Sequence, residues 1–447
     1  MSDSSLILVT LLGISLLLFL VIKIRLQAFI ALLLVSLVVG LAAGMPMDDV
    51  IKSVQNGMGG TLGFVAVVVG LGAMFGRLLE ISGGVERLAQ TLLAKFGEAN
   101  SQWALTLTGF IVSIPVFFDV GFIIIAPVLY GLTRKTGRSL LYYGVPLIAG
   151  MAVTHAFIPP TPGPIAVADL INADLGWVIF WGVLCGLPAA ALAGPLFGRY
   201  IAKRIPAKIP DYFDDKTQRS FENMPGFGTI CGVIALPIFL IVANTLSGAT
   251  LAEGHTVRNV LGFVGHPFVA LTLATLAAIF LLGVKRGVSL EEINDLTTRA
   301  LEPAGIVILI TGAGGVFKQV LIDSGVGDVL ADLMASSAIH PVLLAFALAA
   351  VIRIAQGSAT VAMITAAGVL SPILDRLALS PSAVALMVIA IASGATILSH
   401  VNDSGFWLVN RYLGLTEKDT LRSWTMVSVI VALVGVGTAF IFSFFVM

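Results

Sequence analysis

Long apolar runs dominate the chain and are separated by short polar segments. A helix needs about 20 apolar residues to cross a bilayer. Spans of this kind are predicted near residues 5–22, 27–43, 59–80, 177–198, 227–247, 267–284, 302–322 and 424–446. Four further apolar stretches are interrupted, and they predict re-entrant hairpins near 102–132 and 341–372 and broken helices near 140–175 and 381–410. The pattern predicts an all-α polytopic membrane protein.

The composition agrees with a membrane protein. Of 447 residues, 58% are hydrophobic and only 11% are charged, and the mean hydropathy is +1.03. A soluble fold cannot bury so much apolar surface, so the surrounding solvent is predicted to be lipid. The formal net charge is zero, which argues against a nucleic-acid partner. The first apolar run follows MSDSS, which lacks the basic start of a signal peptide, and is expected to stay as a span.

Short matches at a nearly constant offset of 242 to 245 residues indicate an internal duplication. The matching pairs are 44–51 with 287–294, Phe75 with Phe317, Ser82–Gly83 with Ser324–Gly325, and His155 with His400. The predicted organisation is a first repeat over 1–202, a polar linker over 203–225 and a second repeat over 226–447. The linker is too short to fold as a domain of its own.

The positive charges orient the two repeats, because Lys and Arg remain in cytoplasmic loops. With the spans above, 19 of the 25 Lys and Arg residues fall on one side and three on the other. The linker lies on the side that is rich in Lys and Arg, which is predicted to be the cytoplasmic side. About five full spans plus one hairpin per half make the second repeat inverted relative to the first, a signature of transporters. If 102–132 and 341–372 were single spans, the repeats would be parallel and the basic segment 133–138 would lie on the poorly charged side.

Four polar islands interrupt the apolar sequence at 113–121, 154–164, 353–361 and 399–407. In each repeat one island falls at the hairpin tip and the other at the helix break. Irregular backbone is tolerated at membrane depth only where protein or a water-filled cavity satisfies its polar groups. Broken helices also present free N–H groups at their positive ends, which attract anions. The islands therefore predict an anion-receptive pocket near the midplane.

The candidate residues come from these islands. Substrate-binding candidates are Thr161, Gly163, Arg353, Gly357, Ser358, Thr360, Asn402, Asp403 and Ser404. Proton-coupling candidates are Asp119, His155, His400 and Asp403, because titratable groups at membrane depth are usually functional. No catalytic residue, metal site or cofactor is predicted, and a proton gradient is the expected energy source.

Several of these residues have structural alternatives. Asp119 would also serve as a helix cap, and Arg353 would also snorkel to the interface or pair with a carboxylate such as Asp375. The histidines would also serve as hydrogen-bonding groups across the breaks. Lys318, which lies near a span end, is expected to snorkel.

Five stretches carry a family resemblance: GGTLGF (59–64), THAFIPPTPGP (154–164), GAGGVFKQVLIDSGV (312–326), RIAQGSATVA (353–362) and SHVNDSGFWL (399–408). They resemble the signature segments of the gluconate permease family, bacterial gluconate:proton symporters, over essentially the whole chain. The resemblance implies import of gluconate or a related sugar acid with a proton across the bacterial inner membrane. Other members carry idonate, fructuronate or D-serine, and the HVND pattern favours a sugar acid.

The family belongs to an ion-transporter superfamily, and this resemblance implies an elevator-type fold and a homodimer. In the sodium–dicarboxylate branch, hairpin tips carry Ser-Asn-Thr and helix breaks carry Pro-Pro-Asn. Here GSAT (357–360) and IPPTP (158–162) are similar, whereas FFDVG and HVND depart from the pattern, so the sodium sites are not carried over. Two rival functions are a cation/proton antiporter and an intramembrane protease, both using Asp119 and Asp403. The protease motif HExxH is absent from the sequence, the repeat is better explained by transport, and no enzyme activity is expected.

Overall fold

The computed structural model describes residues 3–210, 224–325 and 339–447, and every regular element in these ranges is a helix. In the first half the helices are α1 (Asp3–Ile22), α2 (Ala28–Ala42), α3 (Met47–Ile81), α4 (Gly84–Phe96), α5 (Ser101–Val112), α6 (Phe118–Thr136), α7 (Leu140–Phe157), α8 (Pro162–Leu170), α9 (Leu175–Ala191) and α10 (Phe197–Ala202). In the second half they are α11 (Phe227–Thr250), α12 (Thr256–Val264), α13 (Pro267–Ala278), α14 (Leu290–Arg299), α15 (Leu301–Asp323), α16 (Pro341–Gln356), α17 (Ala359–Arg376), α18 (Pro381–Thr396), α19 (Ser404–Tyr412) and α20 (Glu417–Val446). Residues 211–223 of the predicted linker lie outside the described ranges.

Eight helices of the described ranges are long and apolar enough to cross a membrane. They are Met47–Ile81, Leu140–Leu170, Leu175–Ala202, Phe227–Thr250, Pro267–Arg286, Leu290–Asp323, Ala359–Arg376 and Glu417–Val446. The prediction of a polytopic, all-α membrane protein is confirmed. One of these eight, Ala359–Arg376, was predicted from the sequence pattern to be one arm of a hairpin and not a full span.

Both predicted hairpin segments are interrupted where the polar islands fall. In the first, α5 ends at Val112 and α6 begins at Phe118, and Pro115 lies between them, where its missing N–H does not interrupt a helix ladder. In the second, α16 ends at Gln356 and Gly357 follows with a φ of +89°, a left-handed helix end that favours glycine. Neither segment is a single long helix.

The two predicted broken helices are also present. The first stops at Phe157 and resumes at Pro162, and the intervening residues include Pro159 and Pro160, which cannot continue a helix. The second stops at Thr396 and resumes at Ser404. Each half thus has two interruptions, and they fall at the four islands.

Glycines bring helix backbones into direct contact in the same way in both halves. A Cβ atom at Gly150 of α7 would collide with the Thr106 carbonyl of α5, and one at Gly394 of α18 would collide with the Phe346 carbonyl of α16. Small residues allow this close approach in membranes, where packing and not water exclusion holds helices together. The positions are 244 residues apart, so the helix pairs α5–α7 and α16–α18 are built alike.

Helices α3 and α15 pack along one another and also contact the interrupted segments. A Cβ atom at Gly57 would lie 2.6 Å from the Gly315 carbonyl oxygen, which fixes the crossing of α3 and α15. Further along α3, Gly72 faces the carbonyl of Pro160 in the first helix break. On α15, the carbonyl of Gly314 lies 3.1 Å from the Cβ position of Gly368 on α17. This pair of helices therefore contacts the first helix break and also the body of α17.

The prediction that Lys318 snorkels is wrong. Its Nζ donates to the carbonyl oxygen of Leu170 at 2.7 Å, and the Ser371 hydroxyl donates to the same oxygen at 2.5 Å. Leu170 ends α8, where carbonyl groups have no partner within the helix. The ammonium therefore satisfies a helix end from a neighbouring helix and does not extend to the membrane surface.

Substitution at Gly150 tests the backbone contact between α5 and α7. We expect Gly150→Ala to lower the free energy of unfolding by about 2 kcal/mol, because the added methyl group pushes the Thr106 carbonyl away. Gly131→Ala on α6 is the matched control, since its Cβ position has no atom within 4 Å, and it should be neutral or slightly stabilising. Thermal unfolding of both purified variants in detergent measures the difference, and equal midpoints would contradict this packing.

Candidate functional site

The four interruptions surround one cavity of about 570 Å³, a volume typical of small-molecule sites. Ten of the predicted site residues line it: Asp119, His155, Gly163, Arg353, Gly357, Ser358, Thr360, Asn402, Asp403 and Ser404. They are drawn from all four islands and from both halves. The islands that are separated by up to about 290 residues in sequence thus meet at one place.

Four helices begin at the wall of this cavity. The first residues of α6, α8, α17 and α19 all line it, through Asp119, Gly163, Thr360 and Ser404 among others. The N-terminus of a helix carries a partial positive charge and N–H groups without intrahelical partners. Four such ends around one volume make it receptive to an anion.

A buried ion pair lies in the wall. The Nη2 atom of Arg353, a residue that is only 4% exposed, lies 2.5 Å from the Asp403 carboxylate, and its Nη1 donates to the Gly357 carbonyl. Asp403 also accepts from the Ser399 hydroxyl and, at 3.1 Å, from the N–H of Gly405 at the start of α19. Arg353 thus pairs with a carboxylate, as one alternative anticipated, but the partner is Asp403 and not Asp375. Its Nε atom is buried without a hydrogen-bonding partner among the described residues.

The second helix break packs directly on the second interrupted segment. The Asn402 side-chain amide donates to the Ile354 carbonyl at 3.0 Å, and the His400 Nε2 lies 3.0 Å from the same oxygen. A Cβ atom at Gly357 would collide with the Asn402 carbonyl. Ser358 caps α17 by accepting from the Val361 N–H at 3.4 Å. The two islands of the second half therefore form one hydrogen-bonded unit.

The first half contributes groups that are less constrained. Asp119 is the second residue of α6 and faces the cavity, and within the described ranges its carboxylate has no hydrogen-bonding partner and no cation partner. The capping alternative is not seen, because α6 has no side-chain cap. His155 reaches the cavity from the last turn of α7, and its Nδ1 is buried with no partner among the described residues.

Two predicted residues do not line the cavity. Thr161 is buried and donates its hydroxyl proton to the Ile158 carbonyl at 2.7 Å, which closes the first break on itself. His400 lies beyond the end of α18 and is held by Ile354, so it supports the second break from outside the cavity.

The sequence pattern missed part of the wall. Trp424 and Ser428 on α20 line the cavity, as do Pro303 and Val307 on α15. Trp424 donates to the Ser399 hydroxyl at 2.6 Å, which in turn bonds Asp403. These residues lie within or at the start of apolar runs outside the four islands, so the islands did not indicate them.

Gln356 also lines the cavity and was not among the predicted site residues. Unlike the residues above, it lies within the 353–361 island, so the sequence pattern could have indicated it.

An all-helical chain with membrane-length helices around a cavity that is lined by four helix N-termini and a buried ion pair defines a multi-pass membrane transport protein. Comparison with known sequences gives the family. The family model of the GntP family permeases matches residues 5–445, and the chain belongs to that family. Because the family consists of permeases, the protein is a transporter and not an enzyme.

Two relatives place the chain within the family. It is 44% identical over 423 residues to the high-affinity gluconate transporter of Escherichia coli strain K12, covering 95% of this chain and 96% of that protein. It is 42% identical over 423 residues to the Gnt-II system L-idonate transporter of the same strain, covering 95% of each.

A solved structure is similar in fold. The YdaH transporter of Alcanivorax borkumensis superimposes with a TM-score of 0.69, covering 93% of this chain and 98% of that one. The sequence identity is 16%, so the likeness concerns the fold alone.

Amide substitutions distinguish the paired carboxylate from the unpaired one. We expect Asp403→Asn to lower the free energy of unfolding by about 3 kcal/mol, because it leaves the Arg353 guanidinium buried without its counter-ion. Asp119→Asn should change it by less than about 1 kcal/mol, since only the interaction with the α6 dipole is lost. Thermal unfolding without substrate measures both, and similar shifts for the two variants would refute this assignment of the ion pair.

Proposed function

We propose that the protein imports gluconate, or a closely related sugar acid, together with a proton across the bacterial inner membrane. The observation that carries the proposal is the cavity itself, where four helix N-termini and Arg353 surround a volume that also contains the unpaired carboxylate of Asp119. The relatives named for gluconate and idonate transport support a sugar acid as the substrate class.

The substrate carboxylate is proposed to bind at the helix N-termini. Backbone N–H groups near 357–360, 161–163 and 402–404 lie at three of these ends, and charge-assisted bonds from such groups are strong. The hydroxyl groups of the substrate would meet Ser358 and Thr360 on one side of the cavity and Asn402 and Asp403 on the other. Side chains that both donate and accept suit a polyol chain.

Asp119 is the proposed proton carrier, and charge repulsion is the proposed coupling. The positive charge of Arg353 is already balanced by Asp403, so an ionised Asp119 adds an uncompensated negative charge to the cavity that receives an anion. Two like charges in a protein repel by about 2 kcal/mol at distances near 8 Å, which is roughly a 30-fold change in affinity. Protonation of Asp119 removes this repulsion, so a proton and the anion would bind together.

The transport movement is proposed to follow from two inverted repeats, 1–202 and 226–447, with the 203–225 linker in the cytoplasm. The equivalent helix pairs α5–α7 and α16–α18 support the repeat. In this proposal the interrupted helices form re-entrant hairpins that move with the cavity, elevator-like, past α3 and α15 in a homodimer. The contacts of Gly72 with the first break and of Gly314 with α17 would then lie on the sliding surface.

Uptake of labelled gluconate into proteoliposomes tests the function. We expect accumulation when an inward proton gradient is imposed and only slow equilibration without it. Unlabelled idonate, fructuronate and D-serine are added separately as competitors, and a sugar acid should compete more strongly than D-serine.

Other results of this assay would redirect the proposal. Gluconate accumulation driven by a sodium gradient alone would show that sodium, and not the proton, is the coupling ion. Absence of gluconate uptake, combined with vesicle acidification or alkalinisation on adding sodium or potassium, would favour the cation/proton antiporter.

The Asp119→Asn variant tests the proton carrier. We expect it to lose gradient-driven accumulation while it retains exchange of internal for external gluconate, because a permanently neutral residue still accepts the anion. The Asp403→Asn variant is the contrast, and it should impair both modes because it disrupts the binding wall. Gradient-driven accumulation at the wild-type level in Asp119→Asn would assign the proton to another group, with His155 next in line.

A further inference from the structure

A second cavity, of about 600 Å³, lies away from the transport cavity, where the start of α7 meets α10. Its wall contains Arg138, Ser139 and Tyr142 from the start of α7, and Arg199 and Lys203 from the end of the α9–α10 span. None of these residues lines the transport cavity. The proposed function leaves this cavity without a role.

The wall carries three positive charges that have no ion-pair partner among the described residues. Arg138, Arg199 and Lys203 form no ion pair with any residue in the described ranges. Glu98 precedes the lining residue Ala99, but it is exposed and does not line the cavity. Three unneutralised cations around one concave volume favour an anionic ligand.

Two of the cations are held in place. The Arg199 Nε donates to the side-chain oxygen of Gln102 at 2.7 Å, and the Gln102 amide donates to the Tyr142 carbonyl at 2.9 Å. Gln102 is only 1% exposed, so this support is buried. The Arg138 guanidinium lies over the Tyr142 ring, 4.6 Å from its centroid. Tyr142 thus positions both arginines, and planar guanidinium groups suit the bidentate recognition of phosphate.

The surroundings place the cavity at the depth of lipid headgroups. Tyr200 and Trp103, half-exposed on α10 and α5, are the kind of residue found at the membrane–water interface. The positive charges put this end of the helices on the cytoplasmic side. Directly before α10, Leu192 and Leu196 are exposed on the segment that joins it to α9, and they offer an apolar path beside the cations. A free phosphate has no use for that path, whereas an acyl chain does.

We propose that this cavity binds the phosphate headgroup of an anionic phospholipid from the cytoplasmic leaflet. Arg138 and Arg199 donate hydrogen bonds to the phosphate oxygens, and Lys203 adds a further positive charge. An acyl chain lies along Leu192 and Leu196. The bound lipid joins the start of α7, which leads into the first helix break, to the end of the α9–α10 span. The inference stands independently of the transported substrate.

Thermal unfolding in mixed micelles tests the proposal. The pocket variant is Arg138→Gln, Arg199→Gln and Lys203→Gln together. The matched control removes three cations from elsewhere on the same predicted side, by Lys23→Gln, Arg25→Gln and Lys285→Gln. Each protein is titrated with phosphatidylglycerol, phosphatidylcholine or inorganic phosphate.

We expect phosphatidylglycerol to raise the unfolding midpoint of the wild type and the control, and phosphatidylcholine to have little effect. The pocket variant should need about 100-fold more phosphatidylglycerol, since each surface charge contributes roughly a fivefold change in affinity. An unchanged response of the pocket variant would overturn the proposal. Equal stabilisation by inorganic phosphate and phosphatidylglycerol would also overturn it, because the ligand would then be a free anion.

A single substitution tests the proposal even if the triple variant misfolds. Lys203 makes no hydrogen bond to the described residues, so Lys203→Gln should fold normally. It should weaken the phosphatidylglycerol response about fivefold. Native mass spectrometry of the retained lipids gives a second readout, and loss of one bound anionic lipid in this variant supports the proposal, whereas full retention contradicts it.

Discussion

Backbone that leaves the helix at membrane depth must still satisfy its polar groups, and the rest of this structure depends on that constraint. Four interruptions occur in the described chain, and each would be costly if it faced lipid. They are stable because they face one another. The Asn402 amide and His400 close the second break against the Ile354 carbonyl of the neighbouring interrupted segment, and Thr161 closes the first break internally. The cavity lies between them, and the helix N-termini at its wall are favourable positions for an anion.

Close packing keeps the interruptions at this place. Lipid offers no hydrophobic force between helices, so contact geometry has to hold the bundle together. Gly150 and Gly394 bring α7 and α18 onto the backbones of α5 and α16, and Gly57 brings α3 onto α15. These contacts fix the ends of α7 and α18, after which the breaks occur. Lys318 adds a polar contact of the same kind, because it holds the end of α8 from α15.

The sequence predicted the site residues that interrupt the apolar pattern, but not those that lie within it. Proline, glycine and charged residues mark the four islands within apolar sequence, and the interruptions and the cavity lie there. The residues Trp424 and Val307 lie in the wall but belong to ordinary apolar runs, and only three-dimensional packing brings them to the cavity. The role of Lys318 was missed for a related reason, because a lysine near a span end looks the same whether it reaches water or an unpartnered carbonyl on another helix.

The two halves have similar helix interruptions, but they hold their charged groups differently. In the second half the charged groups are committed, since Arg353 and Asp403 neutralise each other and are tied to Gly357, Ser399 and Gly405. In the first half Asp119 lies at the start of α6, and its carboxylate has no such partner among the described residues. The paired arginine and aspartate are tied into the wall by hydrogen bonds, whereas no such contact ties the Asp119 carboxylate into the packing of the described residues. In the proposed mechanism, this difference gives the second half the role of shaping the anion site and the first half the role of changing its charge.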